Sequence, residues 1–427
     1  MNKVKLSEVA TVELSSIDKK IDQNEIPVKL CNFTDVYYNW AITEDIISSC
    51  MNGSVKETEL NKFILKKGQV AITKDSETRD DIGMPCYISN SFDNAVLGYH
   101  CALITPDNKK LNGKYLNALL NTEYARKSFE NQASGSGQRY TLSKEAIESI
   151  QIPLPSLDEQ KRIGSFFSNI DKKIQNNKSQ IEILESIAKT IYDYWFVQFD
   201  FPNEDGKPYK SSGGKMVWNE ALKREIPEGW SVNSLSDYIK IIRGVSYSPL
   251  EELSSSRNKT INLLKSNNIE NGRINFEAPI ILPKEKANSD QWLTKGSVFI
   301  TMSSGSKLHM GKTAIVYRNL PYVFGAFCSK IEINSNFKAL ISSYFISDEF
   351  RTYIENVCAG TSINNIKNQY LLDIKIPFPP QPILRKYEVI FEELSQKIAS
   401  AEKEKIEEDS LRKFLLPLLM NGQVTLQ

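Results

Sequence analysis

The sequence contains one pattern twice, and this internal repeat restricts the fold more than any other feature. Residues 65–73 read LKKGQVAIT, and residues 293–301 read LTKGSVFIT, an offset of 228 residues (293 − 65). Two further pairs keep the same order and nearly the same offset: LSE at 6–8 with LSD at 235–237, and IQIPLP at 150–155 with IKIPFP at 374–379. The duplication predicts two similar domains, and a chain of 427 residues is long enough to bury more than one core.

Each half begins with short runs of β-branched and aromatic residues between Gly, Asn and Asp, which is typical of strands. Examples are residues 68–73, 314–317 and 322–327. A helical stretch follows in each half, at 111–130 and at 339–356. The sequence therefore predicts an α+β domain in each half, with mixed and mostly antiparallel pairing. Each domain should end at its Pro-x-Pro block, because proline continues neither a helix nor a central strand.

After the first Pro-x-Pro block, apolar residues recur at alternating spacings of four and three, which predicts a long coiled-coil helix. This seam consists of Ile163, Phe167, Ile170, Ile174, Asn177, Ile181, Leu184, Ala188, Ile191 and Trp195. Its polar member, Asn177, is either a defect or a residue that fixes the register of the pair at a cost in stability. A second seam begins with Tyr387, Phe391, Leu394, Ile398 and Ala401 and loses its phase over 402–409.

Several turn-forming residues between 201 and 214 predict a linker between the halves. Two long helices separated in sequence by a whole domain can pair, and an antiparallel pair would create a pseudo-two-fold axis, the geometry with which a symmetric dimer reads two DNA half-sites. The predicted fold class is therefore α+β, with two pseudo-symmetric globular domains joined by two long helices that form an antiparallel coiled coil. The predicted segments are a first domain at 1–157, a first helical region at 158–200, a linker at 201–225, a second domain at 226–380 and a second helical region at 381–427.

The bulk properties favour an intracellular protein. No apolar run has the length of a membrane span, and the N-terminal residues lack the apolar segment of a secretory signal, so the sequence predicts a cytoplasmic location. The six cysteines never form a C-x-x-C motif and are expected to be buried thiols. The 53 basic and 52 acidic residues give a net charge of +1, so any nucleic-acid binding would depend on local basic surfaces and on partner chains.

The motifs of the common catalytic sites are missing. Residues 305–313 resemble a phosphate-binding loop, but five residues separate the glycines instead of four, and a strand-like segment follows where a helix is required. No dinucleotide fingerprint and no N-P-P-Y or D-P-P-Y tetrapeptide occurs. With only His100 and His309, a histidine-rich nuclease or metal site cannot be assembled. The sequence therefore predicts no catalytic centre, no metal site and no cofactor in this chain.

Four sequence blocks resemble the specificity subunits of type I restriction-modification systems, and the resemblance covers nearly the whole chain. They are IPLPSLDEQKRI at 152–163, YWFVQFDF at 194–201, GKPYKSSGG at 206–214 and IPEGW at 226–230. The second half departs from the pattern, because residues 380–383 read PQPI in place of the P-L-x-E-Q-x-x-I form, and the N-terminus has no IPEGW block. The resemblance therefore implies partner contact on the first helix more strongly than on the second.

The resemblance implies a function in DNA recognition. In that family, two target recognition domains each read one half of a split sequence in double-stranded DNA, and the helices bind two methylation subunits. Restriction subunits join in the full complex. S-adenosylmethionine, ATP and Mg²⁺ would then be bound by partner subunits rather than by this chain.

Loops that combine Gly and Ser with cationic or amide side chains can bind phosphate through backbone N–H groups and reach base edges with Arg or Gln. On this ground we predict DNA contacts in both halves, by Lys74, Arg79, Gln138, Arg139, Arg243, Lys307, His309, Lys312, Thr361 and Ser362. The alternative from a different class is a stand-alone bipartite DNA-binding regulator, or a structural coiled-coil protein, that has no methylation partners.

Overall fold

The computed structural model of this protein describes residues 3–135, 138–255, 259–359 and 365–426. The chain forms two compact units. Unit 1 comprises residues 1–177 together with 404–427, and unit 2 comprises residues 178–403. Each long helix therefore contributes one of its parts to each unit.

The first half of the chain contains thirteen strands and seven helices within its described ranges. The strands are β1 (Lys3–Lys5), β2 (Ala10–Leu14), β3 (Ile26–Cys31), β4 (Ala41–Ile42), β5 (Met51–Val55), β6 (Val70–Thr73), β7 (Asp75–Ser76), β8 (Pro85–Ile88), β9 (Ala95–Leu97), β10 (Cys101–Pro106), β11 (Ser134–Gly135), β12 (Tyr140–Thr141) and β13 (Gln151–Pro153). The helices are α1 (Phe33–Tyr37), α2 (Glu44–Ser49), α3 (Glu57–Phe63), α4 (Gly113–Leu120), α5 (Glu123–Gln132), α6 (Lys144–Glu148) and α7 (Leu157–Tyr192).

The second half of the chain contains thirteen strands and four α-helices within its described ranges. Its strands are β14 (Met216–Asn219), β15 (Arg224–Pro227), β16 (Ser231–Ser234), β17 (Ile239–Arg243), β18 (Thr260–Leu264), β19 (Ile269–Glu270), β20 (Arg273–Ile274), β21 (Ile280–Pro283), β22 (Val298–Thr301), β23 (Thr313–Ile315), β24 (Tyr322–Phe324), β25 (Cys328–Ile333) and β26 (Lys375–Phe378). Its helices are α8 (Lys338–Phe345), α9 (Asp348–Ala359), α10 (Asn368–Leu372) and α11 (Gln381–Met420).

The sheets show that the sequence repeat is a structural repeat. Unit 1 has sheets ordered β2-β10-β6-β8-β4 and β5-β3-β9, and unit 2 has the corresponding orders β17-β25-β22-β23 and β21-β18-β24. In both units an N-terminal strand pairs antiparallel with the strand of the Pro-x-Pro block, β1 with β13 and β16 with β26. Most pairs are antiparallel, while β3–β9, β4–β8 and β18–β24 are parallel. The predicted fold class is confirmed.

The two helical stretches expected at 111–130 and 339–356 are each interrupted. In unit 1 the break falls before α5, where the Thr122 hydroxyl accepts a hydrogen bond from the backbone N–H of Ala125. In unit 2 the hydroxyl of Ser347 accepts a hydrogen bond from the N–H of Phe350, at the start of α9. A hydroxyl at this position satisfies an N–H group that a new helix leaves unpaired, so each stretch is two helices rather than one.

The start of α7 is fixed to unit 1 by a buried glutamine. The Gln160 side chain accepts a hydrogen bond from the N–H of Asn112 at 2.9 Å and donates to the carbonyls of Lys110 and Pro155 at 3.0 Å. Gly164 allows close contact with α4, because a Cβ there would lie 2.6 Å from the backbone nitrogen of Tyr115. Buried amides need such partners, so this part of the LDEQ block has a structural explanation.

Within unit 1 the two long helices run antiparallel. Lys173 Nζ lies 2.9 Å from a carboxylate oxygen of Glu408, and Asp171 lies 3.6 Å from the Arg412 guanidinium. The Arg412 guanidinium also lies over the Trp40 ring, 5.0 Å from its centroid. The seam residues of this part are all buried, as the heptad pattern predicts: Ile163, Phe167, Ile170, Ile174 and Asn177. The four apolar members share a core cluster with the late residues Leu416, Leu419 and Met420.

Unit 2 contains the other parts of the same helices. Tyr387, near the start of α11, packs against Trp195 and Phe196, which lie in a π-helical turn at Asp193–Val197 that continues α7. The start of one helix thus meets the end of the other, which again gives an antiparallel pair.

The predicted seam residues of unit 2 differ in burial. Ile181, Phe391 and Ile398 are buried, whereas Leu184, Ile191 and Leu394 are only partly buried. Beside Leu394 the buried position is Ser395, whereas Tyr387 and Ala401 of the second seam are buried as the heptad pattern predicts.

The segment predicted as a linker at 201–225 is more ordered than expected. The Asp200 carboxylate accepts hydrogen bonds from the N–H and the hydroxyl of Ser211 at 2.7 and 2.6 Å. Strands β14 and β15 then form an antiparallel hairpin, which begins within the expected linker. The turn-forming residues there shape a compact loop and a hairpin.

All six cysteines are free and buried, as expected. A hydrogen bond with Cys50, together with burial, raises the pKa of Cys31. None of the helices in the described ranges combines the length and apolar character needed to cross a membrane.

The buried carboxylate of Asp171 makes the stability of unit 1 depend on pH. Burial raises its pKa to about 6, although Arg412 opposes the shift. The folded pKa lies above the unfolded value, so folded chains bind more protons between about pH 4 and pH 6, and stability falls as pH rises through that range. In the wild type, the free energy of unfolding should fall by roughly 3 kcal/mol over this range because of Asp171, and we expect Asp171→Asn to abolish this fall.

Hydrogen exchange over residues 157–177 at pH 4 and pH 7 would measure the effect. Asp158→Asn is the matched control. Asp158 lies on the same helix, its side chain is highly exposed, and its Oδ1 lies 3.5 Å from Lys161 Nζ. An equal pH dependence in the Asp171→Asn chain and the wild type would contradict the assignment.

Candidate nucleic-acid interface

In unit 1 the first set of predicted DNA contacts surrounds a small sheet of three two-residue strands, ordered β11-β12-β7. Tyr140 pairs with Ser76 and with Gly135, and Thr141 pairs with Asp75 and with Ser134. The sheet brings the loop after β7 and the hairpin between β11 and β12 side by side. Four predicted residues therefore lie in one region: Lys74, Arg79, Gln138 and Arg139.

Lys74 does not lie in an exposed loop, which corrects the sequence-based expectation. It is buried between β6 and β7, its Nζ lies 3.3 Å from the Asp75 carboxylate, and it lies 4.3 Å from the centroid of the Tyr99 ring. The same carboxylate contacts His100 Nδ1 at 2.8 Å and accepts a hydrogen bond from the Thr141 hydroxyl at 2.7 Å. Lys74 therefore supports the small sheet from inside.

This cluster keeps Asp75 ionised. Burial alone would raise the pKa of Asp75, but hydrogen bonds from His100 and Thr141 and the charge of Lys74 together lower it below its ordinary value. A buried carboxylate with several donors is costly to disrupt, because each donor would lose its partner. The cluster fixes β7 to β12 and so fixes the loops that extend from them.

Arg79 lies on the surface but uses its guanidinium within the chain. Its Nε donates to the carbonyl of Glu130 at 2.9 Å, and its Nη2 donates to the carbonyl of Ala133 at 3.3 Å. These carbonyls lie at the C-terminal end of α5, where a cation is favourable. Arg79 therefore holds its loop against the helix, which argues against the predicted base contact.

Gln138 and Arg139 have the exposure that a DNA contact requires. Both residues are exposed, and among the described residues no carboxylate lies within ion-pair distance of Arg139. The hairpin depends on Gly135, since a Cβ there would lie 2.2 Å from the carbonyl oxygen of Arg139. The hairpin thus presents an amide and a guanidinium side by side at the surface.

Unit 2 presents the corresponding loops. Arg243 is exposed at the end of β17, and His309 is exposed in a short 3₁₀ turn, Lys307–His309. Lys312 is partly buried just before β23. The side chain of Lys307 and the predicted contacts Thr361 and Ser362 lie outside the described residues. An isolated bridge between Ser303 and Asn365 occupies the place that the β7–β12 pair has in unit 1.

The unit 2 loop is also anchored to the following helix. Nη1 of Arg351, on α9, donates to the carbonyl of Met310 at 2.9 Å. Gly311 has a φ of +66°, and a Cβ there would lie 2.6 Å from Ile354. In unit 1 the arginine is in the loop and reaches the helix, whereas in unit 2 the arginine is in the helix and reaches the loop.

Sequence reasoning missed a second set of residues at the same region of each unit. The turn between β9 and β10 carries Tyr99 and His100, and the equivalent turn between β24 and β25 carries Phe327, which is 69% exposed. Leu308 is 76% exposed in the neighbouring unit 2 loop. Aligning the two repeats at Gly98 and Gly325 would have found these turns, because both carry aromatic residues that the core does not use.

Comparison with known proteins agrees with this architecture. The family model described as the type I restriction modification DNA specificity domain matches residues 1–186 and again residues 227–408. The MjaIX specificity subunit of Methanocaldococcus jannaschii is 28% identical over 302 residues, which cover 69% of this chain and 65% of that protein. The EcoKI specificity subunit of Escherichia coli is 30% identical over 47% of this chain and 44% of its own length.

These relatives are matched over two thirds of their length or less, whereas the MjaVIII specificity subunit of M. jannaschii is 25% identical over 91% of this chain and 86% of that one. The crystal structure of the S subunit from the type I restriction-modification system of M. genitalium has the same fold, with a TM-score of 0.57 at 15% identity over 98% of this chain and 95% of that one. Two matches of the family model cover most of the sequence, one in each repeat. The chain therefore belongs to the family of type I restriction-modification DNA specificity proteins.

Proposed function

We propose that this chain is the DNA-recognition subunit of a type I restriction-modification assembly that acts on double-stranded DNA in the cytoplasm. Each unit would read one half of a bipartite target. The observation that carries this proposal is the repeated site: unit 1 presents the exposed Arg139 beside the β7–β12 pair, and unit 2 presents the exposed loop of Leu308 and His309 beside the corresponding bridge of Ser303 and Asn365. Two such sites in one chain match a target that has two separate halves.

The chemistry of the exposed groups fits base and phosphate contact. Gln138 and Arg139 can form bidentate hydrogen bonds to adenine and guanine edges respectively, whereas Lys74 and Arg79 are engaged inside the chain. The recognition surface of unit 1 is therefore smaller than the sequence suggests and centres on the β11–β12 hairpin. In unit 2 it centres on Arg243 and His309.

The proposal gives this chain no catalytic step. Methyl transfer and DNA cleavage would be carried out by partner subunits, which would bind S-adenosylmethionine, ATP and Mg²⁺. Support comes from the sequence, which has no tetrapeptide or loop of the kinds that these cofactors need. The partners would be two methylation subunits, joined by restriction subunits in the full complex.

The long helices offer places for such partners to bind. In unit 2, Ile183 and Ile187 lie one helical turn apart on α7 and are 61% and 42% exposed. In unit 1, Phe414 and Leu411 are exposed on α11. Neighbouring exposed apolar residues on a helix are typical of interaction sites, since water contact with them is unfavourable.

A domain exchange tests the proposed function. Replacing residues 1–150 by the first domain of a relative should change one half of the methylated sequence and leave the other half unchanged. The chimera should keep Gln160 and Gly164 and their contact residues on the new domain, because these anchor α7. Genome-wide mapping of methylated sites gives the result, and a change in both halves would refute independent reading.

Arg139 tests the unit 1 site at the level of one side chain. If Arg139 binds a guanine edge, Arg139→Ala in the assembled complex should lose roughly 1–3 kcal/mol of preference at one base pair. If Arg139 instead binds a phosphate, affinity should fall for all DNA sequences. The slope of log affinity against log salt concentration should then decrease by about one. Lys127→Ala is the matched control, because this exposed cation lies on α5 outside the hairpin. Unchanged affinity and salt dependence in Arg139→Ala would exclude the hairpin from the interface.

Partner binding is tested on α7. Ile183→Glu combined with Ile187→Glu should abolish co-purification of methylation subunits, because a partner would have to bury two charges. The control is Leu250→Glu, which adds a charge at another exposed apolar residue of unit 2 away from the helices. If the wild-type chain recovers no methylation subunit, the chain instead acts as a stand-alone DNA-binding protein.

A further inference from the structure

Unit 1 contains a group of potential metal ligands that DNA recognition does not use. The sulfur atoms of Cys31 and Cys50 and a carboxylate oxygen of Asp35 all lie within 4.8 Å of one another. Both cysteines are buried and free, and Asp35 is partly buried. The ligands of one tetrahedral zinc ion lie about 3.5–3.8 Å apart, so a contraction of about 1 Å would bring this group to coordination distance.

The two cysteines face each other because of the strand register. Antiparallel strands β3 and β5 pair Ile26 with Val55 at one end and Leu30 with Met51 at the other. Cys31 is the last residue of β3 and Cys50 directly precedes β5, so one further step of the same register brings these two residues opposite each other. Side chains of directly opposed residues lie on the same face of a sheet with Cβ atoms about 5 Å apart, so the fold itself places the two thiols together.

Asp35 is oriented toward the same place by the first turn of α1. Its Oδ2 accepts a hydrogen bond from the backbone N–H of Asn32 at 2.7 Å, which leaves Oδ1 as a candidate ligand. Metal-binding carboxylates are commonly held by such a second hydrogen bond. The partial exposure of Asp35 also lets a water molecule reach the site as a fourth ligand.

Unit 2 provides an internal comparison. At the end of its corresponding ladder, Leu264 pairs with Phe324 as Cys31 pairs with Leu97. Residue 279, which precedes the strand start at Ile280, is a proline where unit 1 has Cys50. Asn268 caps its turn through Oδ1, as Asp35 does in unit 1.

The comparison shows that packing and capping at these positions need neither sulfur nor a charge. Leucine, proline and asparagine satisfy them in unit 2. Unit 1 instead has two thiols and a carboxylate at the same three positions. Three potential ligands in one place are therefore not explained by the requirements of the fold.

We propose that Cys31, Cys50 and Asp35 form a binding site for one thiophilic divalent cation of the zinc class, with water as the fourth ligand. This differs from the sequence-based prediction, which expected no metal site because the chain has only two histidines, and buried thiols because the cysteines form no C-x-x-C motif. The ligands come from the end of β3, from the residue before β5 and from α1. Their spacing in the sequence therefore matches no short metal-binding motif.

The site is connected to the proposed DNA-binding loop. Two residues after Asp35, the hydroxyl of Tyr37 contacts both carboxylate oxygens of Asp81 at 2.8 and 2.9 Å. Asp81 belongs to the same loop as Arg79. A cation that fixes α1 would therefore also restrain this loop. An effect on DNA binding rests on the proposed function, whereas metal binding itself does not.

The test uses the full-length chain, reduced and freed of metal with a chelator. Equilibrium dialysis against zinc alone, followed by elemental analysis, should give one zinc ion per chain and a higher melting temperature. Cadmium should produce the ultraviolet charge-transfer absorption of metal–thiolate bonds. Cys31→Ala and Cys50→Ala should each lose the bound ion and most of this absorption.

Asp35→Asn separates loss of metal binding from loss of folding, because asparagine caps the equivalent turn in unit 2. It should fold normally and bind zinc about tenfold or more weakly. Cys328→Ala is the control, since it removes a buried free thiol of unit 2. This variant should bind zinc as the wild type does. Absence of stoichiometric zinc on the reduced chain, or retention of the ion by Cys31→Ala, would overturn the proposal, as would a Cys31–Cys50 disulfide with no metal binding.

Discussion

The packing of two long helices against each globular unit is the interaction on which the rest of the structure depends. In unit 1 the apolar seam of α7 covers the core beside α4, and Gln160 and Gly164 allow the backbones to approach closely. In unit 2 the aromatic residues at the end of α7 enclose Tyr387. Removing one large apolar side chain from such a seam typically costs about 2–5 kcal/mol. Neither unit has a complete core without both helices.

How far the sequence could predict the structure depends on the range of the interactions involved. Repeats and heptads depend on the local order of residues, so the duplication, both helix starts and the buried seam residues of α7 in unit 1 could be predicted from them. Lys74 was misjudged because it is buried against Tyr99 and Asp75, and this cluster, which includes His100 and Thr141 bound to Asp75, assembles only when β6 pairs with β10 and β7 with β12. Leu394 was misjudged because its polar neighbour Ser395 takes the buried position there, which the spacing of apolar residues does not indicate.

The two repeats share a framework and differ in what they attach to it. At the strand turn near the candidate interface, unit 1 has His100 hydrogen bonded to a carboxylate, whereas unit 2 has an exposed Phe327. At the loop beside it, unit 1 pairs β7 with β12 and unit 2 has a single bridge. These differences lie beside main sheets whose strand orders correspond in the two units. A duplicated scaffold can thus carry two unlike reading sites.

The composition of unit 1 has a consequence for how the protein is made. Its core includes Leu416, Leu419 and Met420, which follow all of unit 2 in the sequence. A ribosome therefore synthesises the N-terminal domain early but delivers the last residues of its core only after more than two hundred others. Until then the apolar side of residues 163–174 lacks the cover that Leu416, Leu419 and Met420 provide. For the same reason, a frameshift before the codon of Leu416 would damage the core of unit 1 although most of that unit precedes it in the sequence.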